Sequence, residues 1–485
     1  MRSSEAVYTG VLPDTLALLR QGGDSRIRTV SGCNEYGCRP DPDPDLVSFA
    51  SCTASTISEA GFAAANALRQ RIIEEPSTST CDHEFSRIRQ EFTSLCDLSD
   101  LGGLEVLFAA SGTDIHLVTS RLIGPEHSVM VEGAETGRGV PAALAGRHAS
   151  SGAAFSQGLA REEALPHDSL SPVSEVSIRN ADGTPRDMQA IDEEVSGLVA
   201  SRIKEGGRVL LVLVDISKTG MIAPSPSCAM ELKERFPGFV EVLVDACQFR
   251  ISSATLKAYL VQGFMVALTG SKFLTGPAFS GALLLPETVR TLKTPGALSL
   301  SSSGFEWPET MGSGLTGTGN NFGLLLRWEA ALTEFRAFRS IPEKAVAEFL
   351  HTFARAISRR LTSDPHLEAL TVPAINRLAL TGKKCWDDIQ TIFPFRLRKD
   401  GGRIEPPETL RIHGLLQKDL STCSSHPAAS LRCSLGQPVR CGETGSALRL
   451  CASARLIVEG VNNSDVVIKR AESVFDKIDL LLHLP

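Results

Sequence analysis

Two residues at the ends of neighbouring apolar segments could act together in catalysis. Asp245 closes the segment VEVLVD, and Lys272 follows FMVAL through a Thr-Gly-Ser turn. If both segments are parallel strands, the two side chains converge at one edge of the sheet. A lysine amine forms a Schiff base with an aldehyde cofactor and a carboxylate keeps a pyridine nitrogen protonated, so the pair suits pyridoxal phosphate (PLP). A helix-capping aspartate and a solvated loop lysine would give the same spacing.

A cofactor that carries a phosphate also needs hydrogen-bond donors. Ser111, Gly112 and Thr113 follow the apolar segment LEVLFAA and open a helical pattern that includes Ile115 and Val118. Backbone N–H groups at the start of a helix, together with two hydroxyls, form a suitable anion site. Ordinary N-capping by serine or threonine would explain the same residues.

Short apolar segments alternate with turn signals over the middle of the chain. Between several of them the sequence has a helical pattern or enough length for a helix, which predicts an α/β fold with a mostly parallel, doubly wound sheet. The segments are apolar throughout, as strands are when helices cover both faces of the sheet. We therefore expect the ligand site beyond the carboxyl ends of the strands. The segments are LEVLF, HSVMV, RVLLVLV, FVEVLV, GFMVAL and GALLL.

The chain divides by composition into three parts. Residues 1–45 are polar, end in the proline-rich DPDPD and read as an N-terminal arm. We expect residues 46–335 to form a large domain that binds the cofactor, and residues 336–485 to form a smaller α+β domain. In the smaller domain, a helix is predicted near 465–483 and a strand in ALRLCASARLIV, residues 447–458.

Composition and charge argue against several other classes of protein. The 485 residues include 49 Lys and Arg against 56 Asp and Glu, a net charge of −7 with no basic run, so nucleic-acid binding is not expected. The apolar runs are too short for a membrane span and the N-terminal segment lacks a secretory pattern, so we expect a cytoplasmic protein. The 12 cysteines are scattered without zinc-ligand spacing, which predicts reduced thiols and no metal site.

The order of these motifs resembles the class V aminotransferase and cysteine desulfurase group of fold-type-I, PLP-dependent enzymes. VDACQ at 244–248 and TGSKFLTGPAFSGALLLP at 269–286 resemble the family's Asp-x-x-Gln segment and its Lys-x-x-Gly-Pro turn. ASGTD resembles the family's phosphate turn, TGTGNN at 316–321 its Gly-Thr loop, and residues 447–463 the late strand that carries an arginine. The resemblance covers residues 46 to 480 in order.

The resemblance implies a role for each matching residue. Lys272 would form the Schiff base and move the proton at the substrate α-carbon, and Asp245 would pair with the pyridine N–H. Arg449 would hold the substrate α-carboxylate, with Arg432 as the runner-up. Thr318 would reach the phosphate of the partner subunit, because this family builds its site across a homodimer interface. The implied cofactor-binding residues are Ser111, Gly112, Thr113, Thr136, Ser217, Asp245, Gln248, Thr269, Ser271 and Thr318.

The sequence departs from the family at positions that affect the reaction. Where the family carries a ring that stacks on the cofactor, this chain has Ala134-Glu135-Thr136, and Ser217 replaces an asparagine. Cys441 lies only eight residues before Arg449, too close for the mobile loop of a cysteine desulfurase, and a buried, inert thiol is expected there.

Three further features of the sequence fall outside this pattern. Residues 312–317 match the dinucleotide motif GxGxxG, but no apolar strand precedes them, which argues against NAD. The arm segment with Cys33, Tyr36 and Arg39 could cover the site and contact substrate, or simply pack on a dimer. The isolated histidines, His116 and His148, are expected to be structural.

These observations lead to a functional hypothesis with two alternatives. We expect a PLP-dependent homodimer acting on an amino-acid-like substrate, with aminotransferase-type activity. The first alternative is a lyase that cleaves a C–S or C–C bond β to the amine. The second is a catalytically silent fold that serves as a binding scaffold, although Lys272, Asp245 and Arg449 are all present.

Overall fold

A computed structural model describes residues 12–75, 78–147, 171–290, 305–306, 321–443 and 445–484. The helices are α1 Thr15–Leu19, α2 Glu59–Glu74, α3 Thr78–Leu95, α4 Gly112–Ile123, α5 Val140–Leu144, α6 Met188–Lys204, α7 Pro226–Arg235, α8 Ser253–Val261, α9 Glu287–Arg290, α10 Phe322–Arg339, α11 Glu343–Ser363, α12 Leu378–Thr381, α13 Pro406–Leu416, α14 Ala454–Gly460 and α15 Ser464–His483. The strands are β1 Leu46–Phe49, β2 Glu105–Ala109, β3 His127–Val131, β4 Val173–Val176, β5 Val209–Val214, β6 Val240–Asp245, β7 Met265–Thr269, β8 Gly281–Leu285, β9 Phe305–Glu306, β10 Leu367–Ala369, β11 Ile392–Lys399, β12 Gly402–Arg403, β13 Arg432–Cys441 and β14 Gly445–Cys451.

The larger sheet has eight strands in the order β4-β3-β5-β6-β7-β8-β2-β9. Strands β4, β3, β5, β6 and β7 pair in parallel, whereas β8 pairs antiparallel with both β7 and β2. The carboxyl ends of β2, β3, β5, β6 and β7 therefore lie at one edge, together with the start of β8. The predicted α/β architecture with a mostly parallel sheet is confirmed.

Both faces of this sheet are covered, which explains why its strands are apolar throughout. In β2, Val106 and Phe108 pack into one hydrophobic cluster, while Leu107 and Ala109 pack into another. Successive side chains of a strand point to opposite faces, so each face needs its own apolar layer.

The second sheet joins the beginning and the end of the chain. Its order is β1-β13-β14-β11-β10, with β12 paired to β11. Strand β1 runs parallel to β13, and Leu46 pairs with Arg432. The first strand of the expected large domain thus belongs to the same sheet as the C-terminal strands, while the predicted domain boundaries stay a prediction.

Most of the long helical patterns form helices, but the prediction for residues 447–458 is partly wrong. Strand β14 ends at Cys451, and the chain then enters α14. The Ser453 hydroxyl accepts a hydrogen bond from the Leu456 N–H and so caps the new helix. A short, mostly apolar pattern does not by itself distinguish a strand followed by a buried helix from strand alone.

The N-terminal arm is more regular than its polar composition suggests. Within the described part of the arm, α1 packs against α2 and α10, and Arg327 of α10 donates hydrogen bonds to the carbonyls of Gln21 and Gly22.

None of the helices in the described ranges is both long enough and apolar enough to span a membrane.

Candidate active site

A cavity of about 850 Å³ lies at the carboxyl edge of the large sheet. Its walls come from strand ends of this sheet, from β13 and β14 of the second sheet, and from the N-terminal arm. The cavity brings together most of the residues that the sequence predicted for the site. Those that line it are Ser111, Gly112, Thr113, Thr136, Asp245, Thr269, Ser271, Lys272 and Arg449.

Asp245 ends β6 and is buried against a histidine. One carboxylate oxygen accepts a hydrogen bond from the Cys247 N–H at 3.1 Å, and the other lies 3.4 Å from His116 Nε2. Burial acts to raise the pKa of Asp245, but His116 and then Lys272 outweigh it and hold that pKa below the ordinary value. The Asp245 side chain is therefore a carboxylate that faces the cavity in its charged form.

Lys272 lies on a compact loop that links β7 to β8. The loop is closed by backbone hydrogen bonds from Thr275 N–H to the Lys272 carbonyl and from Gly276 N–H to the Gly270 carbonyl, both 2.9 Å. Among the described residues, no hydrogen bond or ion pair engages the half-buried Lys272 amine. The amine is thus available to a group inside the cavity.

The predicted phosphate turn forms the start of α4. Ser111 is its N-cap residue, accepting from the Asp114 N–H and donating to the Asp114 carboxylate at 2.7 Å. Arg26 of the arm extends to within 3.5 Å of the Ser111 hydroxyl and is held by Asp24 through a 2.9 Å contact. Burial, followed by the nearby Asp24, raises the pKa of Asp114 to about 6. Helix N–H groups and the Arg26 guanidinium together favour an anion at this turn.

Arg449 extends from β14 into the cavity without a carboxylate partner. Its guanidinium donates to the Gln437 carbonyl at 2.6 Å, to the Thr53 hydroxyl at 3.0 Å and to the Lys218 carbonyl at 3.4 Å. The Arg449 Nε, although buried, has no hydrogen-bond partner among the described residues. Arg432, the alternative, is paired with Asp43 instead and does not line the cavity.

A second lysine, which sequence reasoning missed, lines the same cavity. Lys218 follows β5, and its amine donates to the Gly133 carbonyl at 3.2 Å and to the Ala134 carbonyl at 3.0 Å. Burial, then the positive charges of Arg449 and Lys272, lower the pKa of Lys218 to about 7. The position of Lys218 just after a central parallel strand is the feature of the sequence that could have identified it as a site residue.

Two of the predicted residues, Gln248 and Ser217, are not brought to the cavity wall. The Gln248 amide donates to the Cys52 carbonyl at 3.0 Å and does not line the cavity. The Ser217 hydroxyl donates to Glu135 at 2.8 Å, within a buried group where Glu135 also pairs with Arg179. These two side chains hold neighbouring loops in place. Thr318 and the GxGxxG segment lie outside the described residues.

Other residues that the sequence analysis did not assign to the site also line the cavity. His116, expected to be structural, lies one turn beyond Gly112 in α4 and reaches Asp245. The Cys52 thiol also lines the cavity; burial would raise its pKa, but Cys451 and Arg449 lower it to about 6. Cys441 is buried outside the cavity and contacts Arg396 at 3.3 Å.

The arm forms part of the cavity wall. Tyr36 and Arg26 line it, with the Tyr36 and Phe279 rings 6.3 Å apart and the Arg26 guanidinium 5.5 Å from the centre of the Phe279 ring. Cys33 and Arg39 do not line it, and Arg39 pairs with Asp41 at the surface. The arm thus covers the site with part of the segment that the sequence singled out.

Comparison with solved structures shows which fold this is. The chain is similar to the glutamate decarboxylase domain of a diaminobutyrate–pyruvate transaminase and L-2,4-diaminobutyrate decarboxylase from Vibrio parahaemolyticus (16% identity, TM-score 0.52, covering 90% of this chain and 80% of that one). It is similar to the cysteine desulfurase CsdA from Escherichia coli (14% identity, TM-score 0.51, covering 89% of this chain and 95% of that one). It is also similar to TDC from Oryza sativa, solved with PLP and tryptamine (12% identity, TM-score 0.52, covering 91% of this chain and 84% of that one).

The architecture is that of the fold-type-I, PLP-dependent enzymes, as the resemblance in the sequence predicted. At 12–16% identity the likeness is one of fold, and the solved structures that it resembles include a glutamate decarboxylase domain, a tryptophan decarboxylase from Catharanthus roseus and a cysteine desulfurase. No family model matches the sequence, and no curated protein shows significant similarity to it.

Proposed function

We propose that this protein is a PLP-dependent enzyme that acts on an amino-acid-like substrate. The observation that carries the proposal is the convergence of Lys272, Asp245, the Ser111 turn and Arg449 on one cavity. An amine, a buried carboxylate, an anion-binding helix start and an unpaired arginine are the four groups that PLP and an amino acid would require. Each comes from a different element of the fold.

The residues present fit the cofactor. Its phosphate would bind at the start of α4, where a Cβ added at Gly112 would lie only 2.9 Å from the Cys247 sulfur. Gly112 thus permits close approach of the backbone to the cavity. The Asp245 carboxylate would pair with the ring nitrogen. The Thr269 hydroxyl donates to the Cys247 carbonyl at 2.7 Å, so the Ser271 hydroxyl, 3.5 Å from the Thr269 hydroxyl, would be the donor that these two residues offer the cofactor. Lys272 would provide the covalent link.

The side chains of this protein would divide the work of the reaction. PLP, when bound, withdraws electrons from the substrate α-carbon. The Lys272 amine would remove and return the proton at that carbon. Arg449 would orient the substrate through its carboxylate, and Asp245 would stabilise positive charge on the ring nitrogen.

Within this class we favour aminotransferase-type activity, with a β-lyase as the second candidate. The thiols of Cys52 and Cys247 on the cavity wall favour the lyase, because they could contact a sulfur-containing side chain. A half-reaction assay separates the two. An aminotransferase leaves the amino group of its donor on the cofactor, a lyase releases ammonia and a keto product, and a scaffold does neither. Homodimer formation through Thr318 stays a prediction.

Borohydride trapping tests the covalent link. We expect the protein loaded with PLP to be yellow, and reduction should fix the cofactor on the peptide that contains Lys272. Lys272→Ala should fold and lose this label, because no other amine would occupy the same position. Lys218→Ala removes the second lysine of the cavity, and this variant should still carry the label on Lys272. A label on Lys218, or a protein that stays colourless with added PLP, would contradict the proposal.

A further inference from the structure

We propose that the substrate carries a second anionic group, a carboxylate or a phosphate on its side chain. This inference rests on the proposed function and narrows its substrate class. It follows from Arg138, Lys218 and Arg440, three basic side chains on the cavity wall that have no carboxylate partner among the described residues and no assigned role toward PLP or the substrate α-carboxylate.

The described residues on the cavity wall are strongly unequal in charge. Two acids, Glu35 and Asp245, face six cations. One of the six, Lys218, has its pKa lowered to about 7 by burial and by its positive neighbours, so a bound anion would favour its charged form. Glu35 is exposed on the arm, and Asp245 is buried beside His116. The six cations are Arg26, Arg138, Lys218, Lys272, Arg440 and Arg449.

Two of these cations already have assigned partners. Arg26 is paired with Asp24 in a 2.5 Å contact and lies beside the Ser111 turn, where the cofactor phosphate would bind. Lys272 would be consumed in the covalent link. Neither is therefore available to a substrate side chain.

The other four cations have no carboxylate partner among the described residues. Arg449 and Lys218 contact only neutral oxygens, namely backbone carbonyls and the Thr53 hydroxyl. Arg440 donates to the Gly442 carbonyl at 3.1 Å, and no hydrogen bond or ion pair within the described ranges engages Arg138.

These four cations extend from the inner wall to the rim of the cavity. Arg449 is 2% exposed and Lys218 is half-buried beside it, whereas Arg138 and Arg440 are exposed. They come from β14, the loop after β5, the loop after β3 and the end of β13. A substrate whose α-carboxylate binds Arg449 would direct its side chain along the remaining three.

A neutral side chain would leave this positive field without a counter-charge. Charges of one sign along a low-dielectric cleft concentrate the opposite charge, and arginine binds carboxylates and phosphates with two parallel hydrogen bonds. A second anionic group would match Arg138, Lys218 and Arg440, and would gain binding energy that an apolar side chain cannot.

Equilibrium binding to the PLP-loaded protein tests the inference. The change in cofactor absorbance gives Kd for L-alanine, L-leucine, L-aspartate, L-glutamate and O-phospho-L-serine. We expect Kd to be about tenfold or more lower for an anionic amino acid than for L-leucine, with an advantage that shrinks as salt is added. The aspartate and glutamate arms identify a carboxylate, and the phosphoserine arm a phosphate.

Charge-removing variants assign the effect to the rim. Arg138→Gln and Arg440→Gln should each raise Kd for the preferred anionic amino acid toward that of L-leucine. Arg355→Gln, which removes an exposed arginine on α11 away from the cavity, should keep the preference. Equal Kd values for neutral and anionic amino acids would overturn this inference alone. An absorbance that no amino acid changes would overturn the proposed function with it.

Discussion

The ionisation of Asp245 depends on one neighbour that the sequence did not identify. A carboxylate that is 7% exposed should favour its neutral form, yet His116, 3.4 Å away, and then Lys272 favour the charged form. His116 itself is fixed by a 2.7 Å contact between its Nδ1 and the Gly112 carbonyl. The start of α4 thus positions the phosphate turn and the partner of Asp245 together.

Replacing Asp245 with asparagine should separate cofactor binding from turnover. Asp245→Asn keeps the size but removes the charge that would stabilise a protonated ring nitrogen. Turnover should fall about a hundredfold or more, a few kcal/mol of electrostatic stabilisation, while PLP stays bound. Steady-state kinetics and cofactor absorbance measure the two effects.

The same variant has a pH signature. The pKa of Asp245 is lower in the folded protein than the value of about 4 expected for an unfolded aspartate. Its ionisation therefore stabilises the folded protein above about pH 4. This stabilisation is lost as the pH falls from there through the folded-state pKa. Asp245→Asn should therefore weaken the acid dependence of unfolding, whereas Asp45→Asn, at an exposed aspartate whose carboxylate makes no hydrogen bond or ion pair within the described ranges, should not. Asp245→Glu should give intermediate turnover. Near-normal turnover of Asp245→Asn with PLP bound would exclude Asp245 as the ring partner.

The residues that sequence reasoning found are those that follow apolar strands. Asp245, Lys272 and Ser111 all stand at the ends of clear strand patterns, and the rule for parallel sheets then places them together. Cys52 reaches the cavity by a different route, through the pairing of β1 with β13 nearly 400 residues later in the chain. No local pattern encodes such a contact, so Cys52 and its neighbour Thr53 could not be predicted.

At the scale of elements, glycines seat the Lys272 loop on α10. A Cβ added at Gly276 would lie 2.6 Å from the Cβ and 2.8 Å from the Cα of Ala331, and one added at Gly270 would lie 2.7 Å from the same Cβ. The loop therefore packs with its backbone directly on the helix. This contact fixes the height of Lys272 above the sheet edge.

Gly276→Ala should displace that loop. The added methyl group has no flexible side chain to push aside, so overpacking should lower the free energy of unfolding by about 1–3 kcal/mol and also weaken cofactor attachment. Gly414→Ala is the matched control, because nothing lies within 4 Å of its Cβ in the exposed part of α13. That change should stabilise the protein by up to about 1 kcal/mol. Denaturant unfolding gives the free energy of unfolding of each variant. Equal changes for Gly276→Ala and Gly414→Ala would contradict tight packing of the loop on α10.

Elements with an apolar face on each side could be predicted, and mixed ones could not. Strand β5 is buried at all six positions and stands out in the sequence as VLLVLV. Strand β11 contains Arg396 and Arg398 within IFPFRLRK, and β13 contains Arg432 and Arg440. The second sheet could therefore be predicted only in part, because its strands combine apolar core residues with charged ones, some of them buried.

At the scale of the whole molecule, a buried ion pair ties the large sheet to the C-terminal part of the chain. Asp215 follows β5, and its backbone N–H donates to the Asp245 carbonyl at 3.0 Å. Its carboxylate accepts from Arg377 Nε at 2.9 Å and from the Tyr259 hydroxyl at 2.8 Å. Arg377 also donates to the Asp387 carbonyl, so one guanidinium joins three segments beneath the site.

Breaking this pair from one side should cost more than removing it completely. Asp215→Asn removes the nearest carboxylate from Arg377, which is 1% exposed, and leaves it with Asp388 at 3.8 Å and Asp387 at 4.0 Å. The free energy of unfolding should fall by up to roughly 3–5 kcal/mol. The double change Asp215→Val with Arg377→Met replaces both charges with apolar groups and should recover part of that loss, because the Tyr259 hydroxyl and the Asp387 carboxylate still lose a buried partner. Asp100→Asn, which breaks an exposed pair with Lys257, should have little effect because solvent screens it. If Asp215→Asn lowered the free energy of unfolding as little as Asp100→Asn does, apolar packing alone would hold the C-terminal segments to the sheet. The position of the strand end that carries Asp245 would then not depend on this ion pair.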